Sequence, residues 1–231
     1  MSKVETLEIG RHRVVIAAHE NVWPSTPYSL LLAESIPNLP GLTVIDIGTG
    51  SGILGIVASL QGASRVYIVD TDPAAIAATM DNAERNGVRE RFLPLPISDT
   101  IIPLPSGEVV DVVISNPPQL PLPSPEANNP NYAGSNGRDI LEKLICETPA
   151  RLSASGRLLV VFNSVSDFPK SLALMKSVGL EPRVVAKRSI PLRPLFDRNW
   201  LDQLGGTSHG LYTVRDGEAY ETIYAVEARP Q

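Results

Sequence analysis

The chain has 231 residues, enough for one sizeable domain with its own core, and its 43% hydrophobic and 19% charged content is ordinary for a globular protein. A net charge of −5 disfavours nucleic acid as a general partner while leaving room for a locally basic groove. The single cysteine, Cys146, excludes an intrachain disulfide and a cysteine-rich zinc site, and no metal is expected. No apolar stretch nears the roughly 20 residues that span a bilayer, and MSKVETLEIG lacks a signal-peptide pattern, so a cytoplasmic protein without a membrane partner is expected.

Residues 3–18 alternate around EIGRH, which predicts a short hairpin, VETLEI then HRVVIAA. After Pro27, YSLLLAESI has helical spacing. LTVIDIG (42–48) predicts a buried strand, and ILGIVASLQG (53–62) a helix closed by Gly62. RVYIVD (65–70) is a second strand. PAAIAATMDNAERNG (73–87) is a helix with Asp72 at its N-cap, Pro73 at the first helical position and Gly87 past its end. RFLPLPI (91–97) reads as a poor, proline-broken strand and VVDVVIS (109–115) as a strong one. DILEKLICETPARL (139–152) predicts a helix, with Cys146 expected as a buried structural thiol in its apolar pattern. GRLLVVFN (156–163) is a strand and SDFPKSLALMKSVG (166–179) a helix ending at Gly179. PRVVAKRSI (182–190) and ETIYAVEA (221–228) are the last two strands. Strands alternating with helices of this length predict an α/β fold with a mostly parallel sheet.

Two segments break the alternation. Residues 119–138, QLPLPSPEANNPNYAGSNGR, form a loop rich in Pro, Asn, Ser and Gly, of a length that is functional or disordered. Residues 191–218 form an irregular insert before the final strand. It combines Leu195, Phe196, Trp200 and Leu204 with Arg193, Arg198 and His209, and its Gly205–Gly206 pair is a candidate hinge. That mixture suits a largely apolar pocket with a few polar anchors, and the arginines suit an acidic acceptor group.

In an open α/β sheet the ligand crevice lies at the carboxyl ends of the strands. The first such end is DIGTGSG, residues 46–52, whose glycines allow a sharp turn and close approach to a ligand. A dinucleotide fingerprint from Gly48 would need glycine at 53, which is Ile53. A phosphate-cradling loop from Gly50 would need lysine after Gly55, where Ile56 stands. The remaining pattern, D-x-G-x-G-x-G, ends a strand with an acid, which repels pyrophosphate but suits a ligand carrying an ammonium and a sulfonium.

DIGTGSG, VYIVDTD and ISNPP together resemble the class I S-adenosylmethionine-dependent methyltransferases. Within them the chain is similar to the small-methyltransferase group, which includes HemK-like glutamine methyltransferases and adenine amino-methyltransferases, over roughly residues 20–165. VWPSTPYSLLLAESI (22–36) resembles that group's proline-containing leading helix, and AGSNGRDIL (133–141) its glycine-rich turn after the N-P-P loop. The resemblance implies a Rossmann-like fold: a mostly parallel seven-stranded sheet, helices on both faces and an antiparallel last strand. Residues 1–37, the hairpin and leading helix, would then cap the site of a domain spanning 38–231. S-adenosyl-L-methionine is the implied cofactor and S-adenosyl-L-homocysteine the product.

By the same resemblance, Asp46, Gly48, Thr49 and Gly50 hold the methionine moiety. Asp70 accepts the ribose hydroxyls, with Thr71 beside it, and Asp99 receives the adenine amino group. Trp23, Pro24 and Ser25 line the methyl end. Asn116 and the Pro117 carbonyl, stiffened by Pro118, accept two hydrogen bonds from a planar –NH₂ group of the acceptor, localising a lone pair that is otherwise delocalised. The fourth position of this motif is usually aromatic; here it is Gln119, and Tyr132 is the candidate ring. The acceptor is a nitrogen of a small molecule, peptide or protein side chain. Oxygen or carbon acceptors, a nucleic-acid amino group and a non-catalytic cofactor-binding module are the alternatives.

Overall fold

In the computed structural model, residues 3–20, 22–122, 132–194 and 196–231 are described; Leu195 and the middle of the 119–138 insert lie outside them. A hairpin comes first, β1 (Val4–Ile9) paired antiparallel with β2 (His12–Ala17). Then follow α1 (Pro27–Glu34), β3 (Thr43–Ile47), α2 (Ile53–Leu60), β4 (Arg65–Val69), α3 (Pro73–Arg85), β5 (Phe92–Pro94) and β6 (Val110–Ser115). After the 119–138 insert come α4 (Asp139–Glu147), β7 (Leu152–Asn163), α5 (Phe168–Ser177), β8 (Leu180–Pro191), α6 (Arg198–Gln203), β9 (Thr213–Arg215) and β10 (Glu218–Pro230).

Seven strands lie in the order β5-β4-β3-β6-β7-β10-β8, with the short β9 added on β10. Pairings from β5 through β7 are parallel, and β10 runs antiparallel to β7 and β8. This is the expected Rossmann-like α/β sheet, with one extra three-residue strand that the sequence did not show. Period-two alternation assigns the faces. Val44, Val112, Ile114, Leu159 and Val161 join α1 and α2 in one core, while Ile45, Val113, Leu158, Val160 and Phe162 join α4 and α5 in another. A third, smaller core forms within the 191–218 insert. Phe196, Leu201, Leu211 and Tyr212 pack there on Leu120, Leu122 and Val165.

The hairpin shares the first core through Ile9, Val14 and Ile16. Its β2 edge would leave backbone groups unpaired, and Asn82 on α3 and Asn86 at the C-cap of that helix, one turn apart, answer them. Asn82 Oδ1 accepts from Ala17 N at 2.8 Å and Asn86 Oδ1 from Val15 N at 2.9 Å. Each amide also donates back to the carbonyl of the same residue. The hairpin is thereby latched to α3 behind the glycine turn.

Two expectations about local structure need correction. Cys146 is exposed, because Leu141, Leu144 and Ile145 form the inward stripe of α4 and Cys146 falls outside it. Strand β7 begins at Leu152, four residues before the predicted run, because a register shift between Val110 and Val112 lets the strand absorb Gly156 and still pair with β6. No helix among the described residues is long and apolar enough to cross a membrane.

Candidate active site

Strand order reverses at β3, whose sequence neighbour β4 lies on one side and β6 on the other, and the crevice at the carboxyl ends of these strands is the expected ligand site. A cavity of about 880 Å³ opens there. Gly48, Gly50 and Gly52 all have positive φ, so the chain leaves β3 and turns into α2 without side chains in the way. A Cβ on Gly50 would meet nothing within 4 Å, whereas one on Gly52 would sit 2.8 Å from Thr79 Cγ2. Gly52 therefore serves close packing on α3, and Gly50 leaves bare backbone on the cavity wall.

Two aspartates hold this turn from opposite sides. Asp46 is fully buried; its Oδ2 accepts from the Thr49 hydroxyl and from Gly55 N, each at 3.0 Å, and its Oδ1 has no partner among the described residues. Burial pushes its pKa up to about 7, with the two hydrogen bonds pulling it down and Asp70 raising it further. Asp70, which follows β4, accepts from Gly50 N and Asp72 N, each at 3.0 Å, and lines the cavity. One bond per oxygen leaves further lone pairs for a diol. Asp72 caps α3 by accepting from Ala74 N at 2.8 Å.

The opposite wall is the loop after β6. Ser115 Oγ donates to the Ile47 carbonyl at 2.8 Å and so ties the ends of β6 and β3 together. Asn116 is half-buried on the cavity wall, followed by buried Pro117 and half-buried Pro118. Gln119 turns inward, 4% exposed. Its Nε2 donates to the carbonyls of Pro117 at 3.3 Å and Val161 at 2.9 Å, while its Oε1 accepts from Asn163 N at 3.1 Å. Tyr28 and Arg193 line the cavity nearby. The Tyr28 hydroxyl donates to the wholly buried Glu221, which also stands 3.5 Å from Arg193 Nε. Burial raises the pKa of both Tyr28 and Glu221; Glu221 raises Tyr28 further, while the Tyr28 hydrogen bond and the Arg193 charge draw Glu221 back.

Comparison with known proteins agrees with this geometry. The family described as ribosomal protein L11 methyltransferase (PrmA) matches residues 22–117. A Methanocaldococcus jannaschii protein named "Putative protein N5-glutamine methyltransferase" is 26% identical over 188 residues, 79% of this chain and 93% of that protein. The ribosomal protein L11 methyltransferase of Alteromonas mediterranea is 37% identical over 130 residues, 56% of this chain but 42% of that protein, so the chain spans less than half the length of this relative. Among solved structures, SMU.776 complexed with SAH superposes with a TM-score of 0.64 at 14% identity, covering 97% of this chain and 56% of that one. The chain is an S-adenosylmethionine-dependent methyltransferase with a Rossmann-like fold.

The residues of the methyltransferase fit that cofactor. Bare backbone at Gly50, the Asp70 carboxylate with spare lone pairs and the exposed Asp99 carboxylate line one cavity, a donor and acceptor set that would suit a ribose diol and an adenine amino group. Gly48, Thr49, Thr71, Trp23 and Pro24 also line the cavity. Asp46 and Ser25 do not: Asp46 lies behind the turn it braces, and the Ser25 hydroxyl is buried without a partner among the described residues. Asp46 therefore shapes the cavity without forming its surface.

On the acceptor side the structure brings together Asn116, Pro117, Pro118, Gln119, Tyr132 and Arg193, and sets Arg198, Trp200 and His209 apart. Arg198 stacks on Tyr212 and donates to its hydroxyl, Trp200 Nε1 donates to the Ser135 carbonyl at 3.0 Å, and His209 lies beside the Leu204 carbonyl. These three knit the insert; they do not face the cavity. Gln119 lines the cavity, yet its polar atoms are spent on backbone groups, so it supports the loop more than it offers hydrogen bonds to a ligand. Among the wall residues missed from the sequence, three carry polar groups that matter to the site. Glu147 on α4 accepts from Ile101 N at 3.0 Å and Ile102 N at 3.3 Å, holding the segment that carries Asp99, and Lys143 stands one turn before it. The third, Tyr28, was hidden in an apolar helix; its buried partner Glu221 shares a strand face with Ile223 and Ala225, and an acid at that spacing was the available signal.

Proposed function

We propose that the enzyme transfers a methyl group to a planar nitrogen, the side-chain amide of a glutamine in a peptide or protein. The observation that carries this reading is the wall formed by Asn116 and Pro117 after β6, which lines the same cavity as Asp70 after β4, with the Pro117 carbonyl braced by Gln119. S-adenosylmethionine supplies the electrophilic methyl group when bound. The protein's part is geometric. An amide nitrogen is a weak nucleophile because its lone pair is delocalised, and acceptors placed off the amide plane draw the N–H bonds away and free the pair toward the methyl. Such positioning and fixed electrostatics supply much of the rate in enzymes that hold no nucleophile of their own. The proton leaves the nitrogen after methyl transfer, so no strong base is needed at the site.

The similarity to the Methanocaldococcus jannaschii protein, which spans nearly all of that protein, supports an amide acceptor. The similarity to L11 methyltransferases supports a protein substrate more broadly. A single cysteine among 231 residues suits work in the reducing cytoplasm. The test is mass spectrometry of peptides incubated with the enzyme and S-adenosylmethionine, with fragmentation to locate the added methyl. A methyl on glutamine Nε2 supports the reading; methylation only of oxygen, carbon or an amine overturns it.

A further inference from the structure

Arg193 is held differently from Arg91 and Arg138. Arg91 donates to the Ser59 and Ala63 carbonyls, and Arg138 to the Asp167 carbonyl and Glu142, so both spend their donors inside the protein. The Arg193 guanidinium lies 4.3 Å from the Tyr28 ring centroid and 4.8 Å from that of Phe196. Its Nε faces Glu221 Oε1 at 3.5 Å, is buried and has no hydrogen-bond acceptor. The two terminal nitrogens are neither buried nor met by any acceptor among the described residues, and the side chain, 28% exposed, lines the cavity. Two rings and a buried carboxylate thus fix the guanidinium while its two-pronged end opens to the cavity.

That end matches a carboxylate, which a guanidinium grips through two parallel hydrogen bonds. Among the described residues four acids line the cavity: Asp70, Asp72 and Asp99 lie with the glycine turn and the segment after β5, and Glu147 on α4 is engaged by Ile101 N and Ile102 N. The cavity's cations are Lys143, one turn before Glu147, and Arg193, which is joined through Tyr28 to the framework behind the acceptor loop. Tyr28 lies beside Asn163, Asn163 N donates to Gln119, and Gln119 donates to the Pro117 carbonyl. We propose that Arg193 anchors a carboxylate carried by the methyl acceptor, so that the substrate is an amide with an anionic group within reach of it. This rests on the amide reading above and narrows it. The carboxylate belongs either to an acidic side chain beside the glutamine or to a chain terminus.

The test is calorimetry on the enzyme loaded with S-adenosylhomocysteine, using N-acetylglutamine, its neutral carboxamide, and N-acetylnorvaline, which has the carboxylate without the side-chain amide. Arg193→Met keeps an apolar stem between the rings, and Arg193→Lys keeps the charge without the fork. N-acetylglutamine should bind the parent, lose roughly 10–100-fold in Arg193→Met and less in Arg193→Lys, while the carboxamide binds all three equally weakly. If Arg193→Met fails to fold, the loss in Arg193→Lys decides. Failure of the parent to bind any carboxylate probe, or equal losses for the acid and the carboxamide, overturns the proposal. Arg193-dependent binding of N-acetylnorvaline by an enzyme that methylates no amide would uphold the anchor and sink the amide reading instead. Blocked peptides with glutamic acid after glutamine, compared with peptides ending in free carboxyl-terminal glutamine, distinguish the two carboxylate sources.

Discussion

The side-chain amide of Gln119 donates to the carbonyl of Pro117 at 3.3 Å, and the same nitrogen donates to Val161 at 2.9 Å. The residue that replaces the usual ring of the N-P-P motif thus fastens the acceptor loop to β7. Gln119→Leu is expected to lower turnover by about tenfold, the scale of one neutral hydrogen bond, with cofactor affinity unchanged. It should also lower stability, because the Val161 carbonyl and Asn163 N are left buried without partners. Turnover measured well below the melting temperature checks this; parental turnover would mean that the Pro117 carbonyl needs no support.

Asp70 accepts from Gly50 N of the glycine turn and keeps lone pairs that a ribose diol could engage. Asp70→Ala is expected to weaken S-adenosylmethionine binding by about 10–100-fold, since a hydrogen bond to a charged acceptor is worth roughly 1.5–3 kcal/mol. The fold should persist because the loss lies at the rim of the cavity. Calorimetry decides it, and unchanged affinity would remove Asp70 from the cofactor site.

Asp46 makes stability depend on pH. Burial raises its pKa from 3.8 to about 7, so between those values the folded protein holds a proton that the unfolded chain releases. The contribution is fully present below about pH 4 and is lost as the pH rises through about 7. Asp46→Asn stays neutral throughout. The unfolding free energy of the variant minus that of the parent should therefore climb between pH 4 and pH 8, by on the order of a few kcal/mol. Denaturant titrations at those two pH values test this, and a flat difference would contradict a protonated Asp46.

The Cys146 thiol is exposed on α4, away from the inward stripe of Leu141, Leu144 and Ile145. Iodoacetamide should alkylate it in the folded protein as readily as in denaturant, without loss of cofactor binding. Mass spectrometry of the native reaction checks this, and protection in the native state would show that α4 is rotated or covered.

The parallel sheet, the glycine turn and the acid after β4 were legible because each rests on local rules: apolar runs, N-caps such as Asp72, and glycine where the backbone turns. What the sequence hid depends on packing across the fold. Gln119 looked substrate-facing, yet its partners Val161 and Asn163 lie on a strand more than 40 residues away. Arg193, Arg198 and His209 were indistinguishable in one polar insert, and only its small core of Phe196, Leu201 and Tyr212 turns Arg193 to the cavity and the others outward. Glu221 could be seen to break an apolar strand face, but its pairing with Tyr28, 193 residues earlier, could not.

The central claim is that Asn116 acts on the acceptor nitrogen and not on the cofactor. The most direct test measures S-adenosylmethionine affinity and single-turnover methylation of a glutamine peptide in parallel for Asn116→Ala and the parent. The account predicts affinity within a few-fold of the parent and a methylation rate lower by about 100-fold, the scale of one fixed transition-state hydrogen bond. A variant that methylates at nearly the parental rate, or one that loses cofactor binding in proportion to rate, would contradict it.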